Sequence, residues 1–200
     1  HIDFHLDAGQ VLLVRGGNGS GKSTLLRSLA GLMTWRAGTL ICCGEKLLAS
    51  SPSFQQRISY LGHQCGMSDA LTGAENLRFA LQLQGIVWNA KRVAAVLRDL
   101  GVAELVQRPV LHLSQGQRRR LAIARVMLSE RPIWLLDEPD NALDVHGSAF
   151  LEQALAAHAQ AGGLAVVVSH RGLQIPDTQV QVLELSSESE RLKVAQREQA

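Results

Sequence analysis

With 200 residues, 46% of them hydrophobic, the chain has apolar material for one substantial domain. A net charge of +2, from 20 basic and 18 acidic side chains, creates no demand for nucleic acid or an anionic membrane as partner. No apolar run approaches the roughly 20 residues that a membrane helix needs, and no signal peptide is visible.

In chain order, Ile2, Phe4 and Leu6 alternate with polar residues as in a half-buried strand. The chain starts without Met and inside this pattern, as expected for a piece of a longer protein. A turn over residues 7–10 leads into Val11-Leu12-Leu13-Val14, a buried strand. A glycine-rich loop follows, and then a helix over residues 24–30, beginning near Gly21 and ending at Ala30-Gly31-Leu32. Residues 38–42 and 46–48 read as a short hairpin around Gly44-Glu45, and residues 57–61 as another strand. From about residue 65 to 113 the texture becomes helical, with segments at 75–84 and 90–100 separated near Gly85. Ser114 precedes a helix that runs to about Ser129 and is stopped by Pro132. Arg118-Arg119-Arg120, the one compact basic run, reads as the solvated start of that helix. Residues 133–136 form a buried strand, 147–160 a helix, and 164–168 a further buried strand. Apolar strands separated by helices predict an α/β fold with a mostly parallel sheet covered on both faces. Residues 186–200 are polar and charged and read as a frayed tail. No internal repeat is visible.

The three cysteines, Cys42, Cys43 and Cys65, form no C-x-x-C and no metal-ligand spacing, which points to a reduced, cytosolic compartment. Alternation along a strand puts Cys42 and Cys43 on opposite faces, which argues against a bond between them.

Three stretches carry chemistry. Gly16, Gly17, Asn18, Gly19, Ser20, Gly21, Lys22 and Ser23 fit G-x-x-x-x-G-K-[ST] at every fixed position, between a strand and a helix. Glycines let the backbone wrap a phosphate and aim N–H groups at it, and the helix adds its positive end. Lys22 is placed to reach β- and γ-phosphate oxygens, and the Ser23 hydroxyl to ligate Mg2+. Asp137 ends an apolar strand, as a metal-handling acid of a nucleotide hydrolase does, and the adjacent Glu138 is placed to orient or deprotonate an attacking water. Ser114-Gln115-Gly116-Gln117 opens a helix and reads either as a second anion site or as an ordinary helix cap. The phosphate loop, Asp137-Glu138 and His170 all follow strand ends, where parallel sheets bind ligands.

The order of these motifs resembles the ATP-binding cassette family over essentially the whole chain. The resemblance implies a P-loop NTPase core with a mostly parallel sheet, a small antiparallel β part on the N-terminal side, and a helical sub-domain at about 65–113. Together these form a single cassette over 1–185, followed by the 186–200 tail. It makes Gln64 the glutamine that links the metal site to the helical insertion, and Asp137, Ser23 and Gln64 the metal residues. Thr24 joins Gly16–Ser23 in the ATP site. Ser114, Gly116 and Gln117 resemble the S-G-G-Q signature, Asn141–Asp144 the D-loop, and His170 the switch histidine beside the γ-phosphate; Glu138, His170 and Gln64 are the catalytic set. ATP and Mg2+ are the implied cofactors. The implied partners are a second cassette, head to tail, and integral membrane subunits, with no direct contact to nucleic acid. The implied location is peripheral, on the cytoplasmic face of a bacterial inner membrane or the equivalent organelle face.

This chain departs from the family at Gln115, which replaces the first signature glycine, at Gly17 and at Asn141. No Tyr or Trp precedes the phosphate loop to stack on adenine, and Phe4 lies in the wrong part of the strand pattern. Tyr60-Leu61-Gly62-His63-Gln64, the stretch 71–79, Ala142-Leu143-Asp144 with Gly147, the stretch 158–163 and the short end after His170 are similar to the haem exporter ATPases of cytochrome c maturation. That likeness implies energy coupling for haem export or for release of a haem chaperone. His63 and Cys65 read as plain loop residues. The alternatives are a cassette for a lipid, drug or peptide, and a soluble cassette acting on nucleic acid or ribosomes.

Overall fold

Four consecutive apolar residues, Val11 to Val14, are buried on both sides, and this sets the layer order of the molecule. The computed structural model describes residues 2–35 and 37–186. The run lies in strand β1 (Gln10–Gly16), followed by helix α1 (Lys22–Leu29), the hairpin β2 (Leu40–Cys42) and β3 (Glu45–Leu47), a one-turn α2 (Pro52–Gln55) and β4 (Ile58–Leu61). Helices α3 (Gly73–Leu83), α4 (Ala90–Asp99) and α5 (Gln115–Leu128) come next. The chain then runs through β5 (Ile133–Asp137), α6 (Val145–Gln160), β6 (Leu164–Val168) and β7 (Gln179–Leu185). The main sheet has the order β4-β5-β6-β1-β7, and every pairing in it is parallel.

Alternation along β1 sorts its side chains between two cores. Val11 and Leu13 join a cluster built with α3 to α6, including Leu77, Leu97, Leu121 and Leu155. Leu12 and Val14 join a second cluster with Leu26 and Leu29 of α1 and with Phe54. Burying such side chains is worth about 1.5–3 kcal/mol each relative to leaving them exposed.

Helix starts follow cap chemistry. Thr72 and Glu75 form a reciprocal capping box, with Glu75 N donating to Thr72 Oγ1 at 3.1 Å and Thr72 N donating to Glu75 Oε2 at 2.8 Å. Helix α3 therefore begins at Gly73, ahead of the expected 75. Asp144 caps α6 through Gly147 N at 2.7 Å, so that helix begins at Val145 rather than 147.

Three expectations need correction, and one strand was missed. Residues 2–6 form no strand, and Ile2 and Phe4 are exposed, because no neighbouring strand among the described residues offers them a ladder. The hairpin turns at Cys43-Gly44, both at positive φ (54° and 79°), one residue before the expected pair. Cys43 consequently leaves the strand, and its Sγ lies 3.9 Å from that of Cys42 instead of on the opposite face. Strand β7 was not anticipated; it pairs with β1 in parallel from Gln10↔Gln179 to Gly16↔Leu185. The expected tail lies outside the described residues beyond Ser186.

His158 of α6 stacks on Trp134 of β5, with ring centroids 3.9 Å apart and planes 10° from parallel. Burial pushes the His158 imidazole below its ordinary pKa. The folded protein therefore resists protonation that the unfolded chain accepts below about pH 6.5. Stability is full above that pH and falls as pH drops through it. Urea unfolding at about pH 7.5 and 5.5 should show a steeper acid loss for the parent than for His158→Phe. Equal losses would remove His158 from the pH dependence.

Candidate functional site

The loop from Gly16 to Ser23 joins β1 to α1. A Cβ on Gly16 would lie 2.2 Å from the carbonyl oxygen of Leu185 and 2.7 Å from Ser20 Oγ, at a φ of 142°. The end of β7 thus presses on the loop's first residue and leaves room only for hydrogen there. Gly17, Asn18 and Gly19 are exposed. Helix α1 starts with no side-chain cap and no acidic residue in its first turn, so no side chain there offsets the positive end of its dipole. Lys22 is buried and donates from Nζ to the Gly16 and Gly17 carbonyls, at 2.8 and 2.9 Å. Thr24, next on the helix, is exposed.

Asp137 ends β5 and is 0% exposed. Ser23 Oγ donates to its Oδ1 at 3.1 Å, while its Oδ2 is buried without a hydrogen-bond partner. A buried carboxylate oxygen with no donor, beside a serine hydroxyl and a glycine-rich loop, fits a hard divalent cation with oxygen ligands. Glu138 follows at φ 51°, a left-handed conformation that a non-glycine residue adopts at a cost. Its Oε1 is 3.1 Å from His170 Nε2 and its Oε2 is 3.6 Å from His63 Nδ1. Two histidines from two loops thus flank the one carboxylate.

The backbone behind this carboxylate is held by Arg119 of α5, which is 3% exposed. Its guanidinium donates to the carbonyls of Gly62 (2.9 Å) and His63 (3.4 Å) after β4, and to those of Asp137, at the end of β5, and of Glu138 and Pro139 beyond it. Nearby, Ser169 Oγ lies 2.9 Å from Asp140 Oδ2 and accepts from Arg171 N at 3.0 Å, which fixes the turn that carries His170.

The structure therefore brings the phosphate loop, Asp137, Glu138 and His170 to the C-terminal ends of β1, β5 and β6. A cleft beside them is lined by Gly16, Gly17, Ser169, His170 and the β7 residues Glu184 and Leu185. Gln64 follows β4 in an exposed loop. Ser114, Gly116 and Gln117 stand apart at the start of α5, and no hydrogen bond among the described residues joins them to the phosphate loop. Ser114 caps α5 in a box with Gln117, with Ser114 N donating to Gln117 Oε1 at 2.9 Å. A Cβ on Gly116 would sit 2.6 Å from the Ala142 carbonyl, so the turn over Asn141–Asp144 rests against this cap. Asp144 binds Arg120 Nη2 through both oxygens at 2.7 Å. The Gly147 N–H, with Arg120 contributing less, holds the Asp144 carboxyl below the usual carboxylate range.

The basic run corrects its expected reading as a solvated face. Arg118 pairs with Asp69 at 2.9 Å, Arg120 pairs with Asp144, and Arg119 is buried. Its signal was positional: residues 119, 122, 123 and 126 share one face at helical spacing, and all four are buried. The loop reading of His63 missed its contact with Glu138.

Removing the Arg119 guanidinium should strip a charged donor from five carbonyls, those of the buried Asp137 and Pro139 among them. Arg119→Leu is expected to cost about 3 kcal/mol or more in urea unfolding. A loss within about 0.5 kcal/mol, the range of an ordinary surface change, would deny the guanidinium this structural role.

Residues 1–141 match the family model described as ABC transporter. The protein of Bordetella bronchiseptica named "Cytochrome c biogenesis ATP-binding export protein CcmA" is 48% identical over 171 residues, 86% of this chain and 76% of that protein. A protein of the same name from Paraburkholderia xenovorans is 43% identical across 92% of this chain and 88% of its own length. The solved structure described as "Structure of ATP binding subunit of ABC transporter" superposes with a TM-score of 0.74 at 26% identity, covering 84% of this chain and 71% of that one.

Proposed function

Because the chain belongs to the ATP-binding cassette transporter family, we propose that it couples ATP turnover to haem export, or to release of a haem chaperone, in c-type cytochrome biogenesis. As a member of that family it binds ATP and hydrolyses it. The cytochrome c role rests on one observation: 48% identity, over 86% of this chain, to a protein named for cytochrome c biogenesis and export.

In this reading Gly16 to Thr24 surround the ATP phosphates. Lys22 Nζ exchanges its two carbonyl partners for anionic phosphate oxygens, which bind an ammonium more strongly. Mg2+ would be held by Ser23, Asp137 and Gln64, where it would neutralise phosphate charge. Glu138 is the general base, accepting the proton of the attacking water, and His170 holds the carboxylate and reaches toward the γ-phosphate. Ser114, Gly116, Gln117 and Asp144 act on the ATP of a second copy packed head to tail. The unit is one cassette over 1–185, with its helical part at about 65–113.

The base assignment is tested by comparing Glu138→Gln with Asp137→Asn. Glu138→Gln keeps size and hydrogen bonding but not basicity. It should bind MgATP, lose hydrolysis by roughly 10²–10⁴-fold, and accumulate as a dimer in light scattering. Asp137→Asn should instead weaken Mg2+-dependent binding. Near-parental turnover of Glu138→Gln would remove Glu138 from the mechanism, and a dead but monomeric protein would overturn the two-copy site.

The same reading makes the chain a peripheral subunit at a membrane complex; no helix among the described residues is long and apolar enough to cross a membrane. The helical part is its docking element. Phe79, Leu83 and Val87 are 57%, 73% and 87% exposed there, beside Arg78 stacked 4.9 Å over the Trp88 ring. The parent should co-purify with the membrane subunits of a cytochrome c biogenesis system. Phe79→Ser with Leu83→Ser should lose them while keeping nucleotide binding. Failure of the parent to associate would refute the cytochrome c role, and undiminished association of the double variant would refute the docking surface.

A further inference from the structure

The hairpin β2–β3 carries two cysteines that the nucleotide site does not use. The positive φ of Cys43 takes it out of the strand, and its Sγ comes within 3.9 Å of the Cys42 Sγ. All three cysteines are free; Cys43 is exposed and Cys42 half-buried. Arg57, the residue before β4, donates from Nη1 to Cys43 Sγ at 3.1 Å and lies 4.0 Å from Cys42 Sγ. The guanidinium thus sets a cation against the exposed sulfur. Burial, and after it the hydrogen bond with Cys43, pushes the Cys42 thiol up. The two thiols are thus unequal: one is exposed and paired with a cation, the other lies behind it within reach.

We propose that Cys42 and Cys43 form an oxidisable dithiol that reacts with small disulfides of the glutathione class, Cys43 attacking and Cys42 resolving. This goes beyond the transport reading and does not depend on it. In the first step Cys43 gives its proton to solvent and attacks one sulfur of the small disulfide. The S–S bond breaks, one small thiolate leaves and takes a proton from solvent, and a mixed disulfide remains on Cys43. Cys42 then gives its proton to solvent and attacks the Cys43 sulfur. The Cys42–Cys43 bond forms and the second small thiol departs. The two protein thiols lose two electrons and two protons, and the small disulfide gains them. Sγ atoms 3.9 Å apart must close to about 2.05 Å. Consecutive Cα atoms are held at about 3.8 Å, below the usual span of a disulfide of about 4.4 Å or more. The product is strained and easily reduced, which suits a reversible site.

The test uses the full chain, reduced and freed of reductant, then exposed to glutathione disulfide, quenched with an alkylating agent and read by peptide mass spectrometry. Cys65 is half-buried against the larger core cluster and serves as internal control. The parent should yield a Cys42–Cys43 disulfide, lighter by two hydrogens, with Cys65 still alkylated. Cys42→Ser should stop at the mixed disulfide on Cys43, and Cys43→Ser should react about tenfold more slowly. Arg57→Gln should slow the first step and Arg57→Lys should restore it. Cys42→Ala repeats the resolving arm in case serine unfolds the half-buried position. A parent that collects only mixed adducts, or a Cys43→Ser that reacts as fast as Cys42→Ser, overturns the proposal.

Discussion

A guanidinium taken out of water keeps its charge, so the surrounding dipoles must turn toward it. Arg119 imposes this demand at the centre of the candidate site. The carbonyls that answer it come from the loop after β4 and from the end of β5 and the loop beyond it, and three of them belong to the consecutive residues Asp137, Glu138 and Pro139. In an extended strand, successive carbonyls point to opposite sides. Three in a row can converge on one cation only if the backbone leaves the strand conformation. The left-handed φ of Glu138 is where it does so. The same bend brings the Glu138 carboxylate between His170 and His63. One buried charge therefore explains why β5 stops at Asp137, why a non-glycine residue accepts a strained conformation there, and how side chains from three loops meet.

The parallel sheet supplies the frame for that convergence. Every strand of the main sheet ends on the same side, so the loops after β1, β4, β5 and β6 open together. The central strands are apolar on both faces, and period-two alternation assigns Val11 and Leu13 to one core and Leu12 and Val14 to the other. The phosphate loop is thus rooted in a strand buried on both sides. Its first residue is further confined by the Leu185 carbonyl of β7.

Much of this was legible in the sequence where the cause is local. The phosphate loop, Asp137-Glu138 and His170 each follow a run of buried apolar residues, and strand ends locate ligands in such sheets. The helices of the 65–113 stretch were legible from spacing, with boundaries set by the Thr72 and Asn89 caps. What escaped depends on partners distant in sequence. Strand β7 alternates plainly as Gln-Val-Gln-Val, yet it forms against β1, about 170 residues away in the chain. Residues 2–6 alternate as well but have no ladder among the described residues. Arg119 was hidden by its neighbours, because three arginines in a row suggest a solvated surface until their helical phase is considered. The Cys43–Gly44 turn was missed by one residue, which sufficed to move a thiol from one face of a strand to the side of its neighbour.

The departure at Gln115 can be judged from the local backbone. Among the positive-φ residues of the described chain Gln115 is absent, and it occupies the first position of α5. A side chain is therefore tolerated at that position, and this one is exposed. Gly116 is different, because the Ala142 carbonyl would meet any Cβ there at 2.6 Å. Ser114 supplies the cap whatever stands at 115, through its box with Gln117. The fold thus requires glycine at the second of the two positions and leaves the first open. The Arg120–Asp144 pair and the Gly116–Ala142 approach also tie the start of α5 to the turn before α6. If a second copy packs head to tail as proposed, it meets this start and this turn as one surface, with the Gln115 side chain projecting from it. The consequence of Gln115 then belongs to the fit between copies, where an amide can donate to a phosphate oxygen, rather than to the stability of either copy.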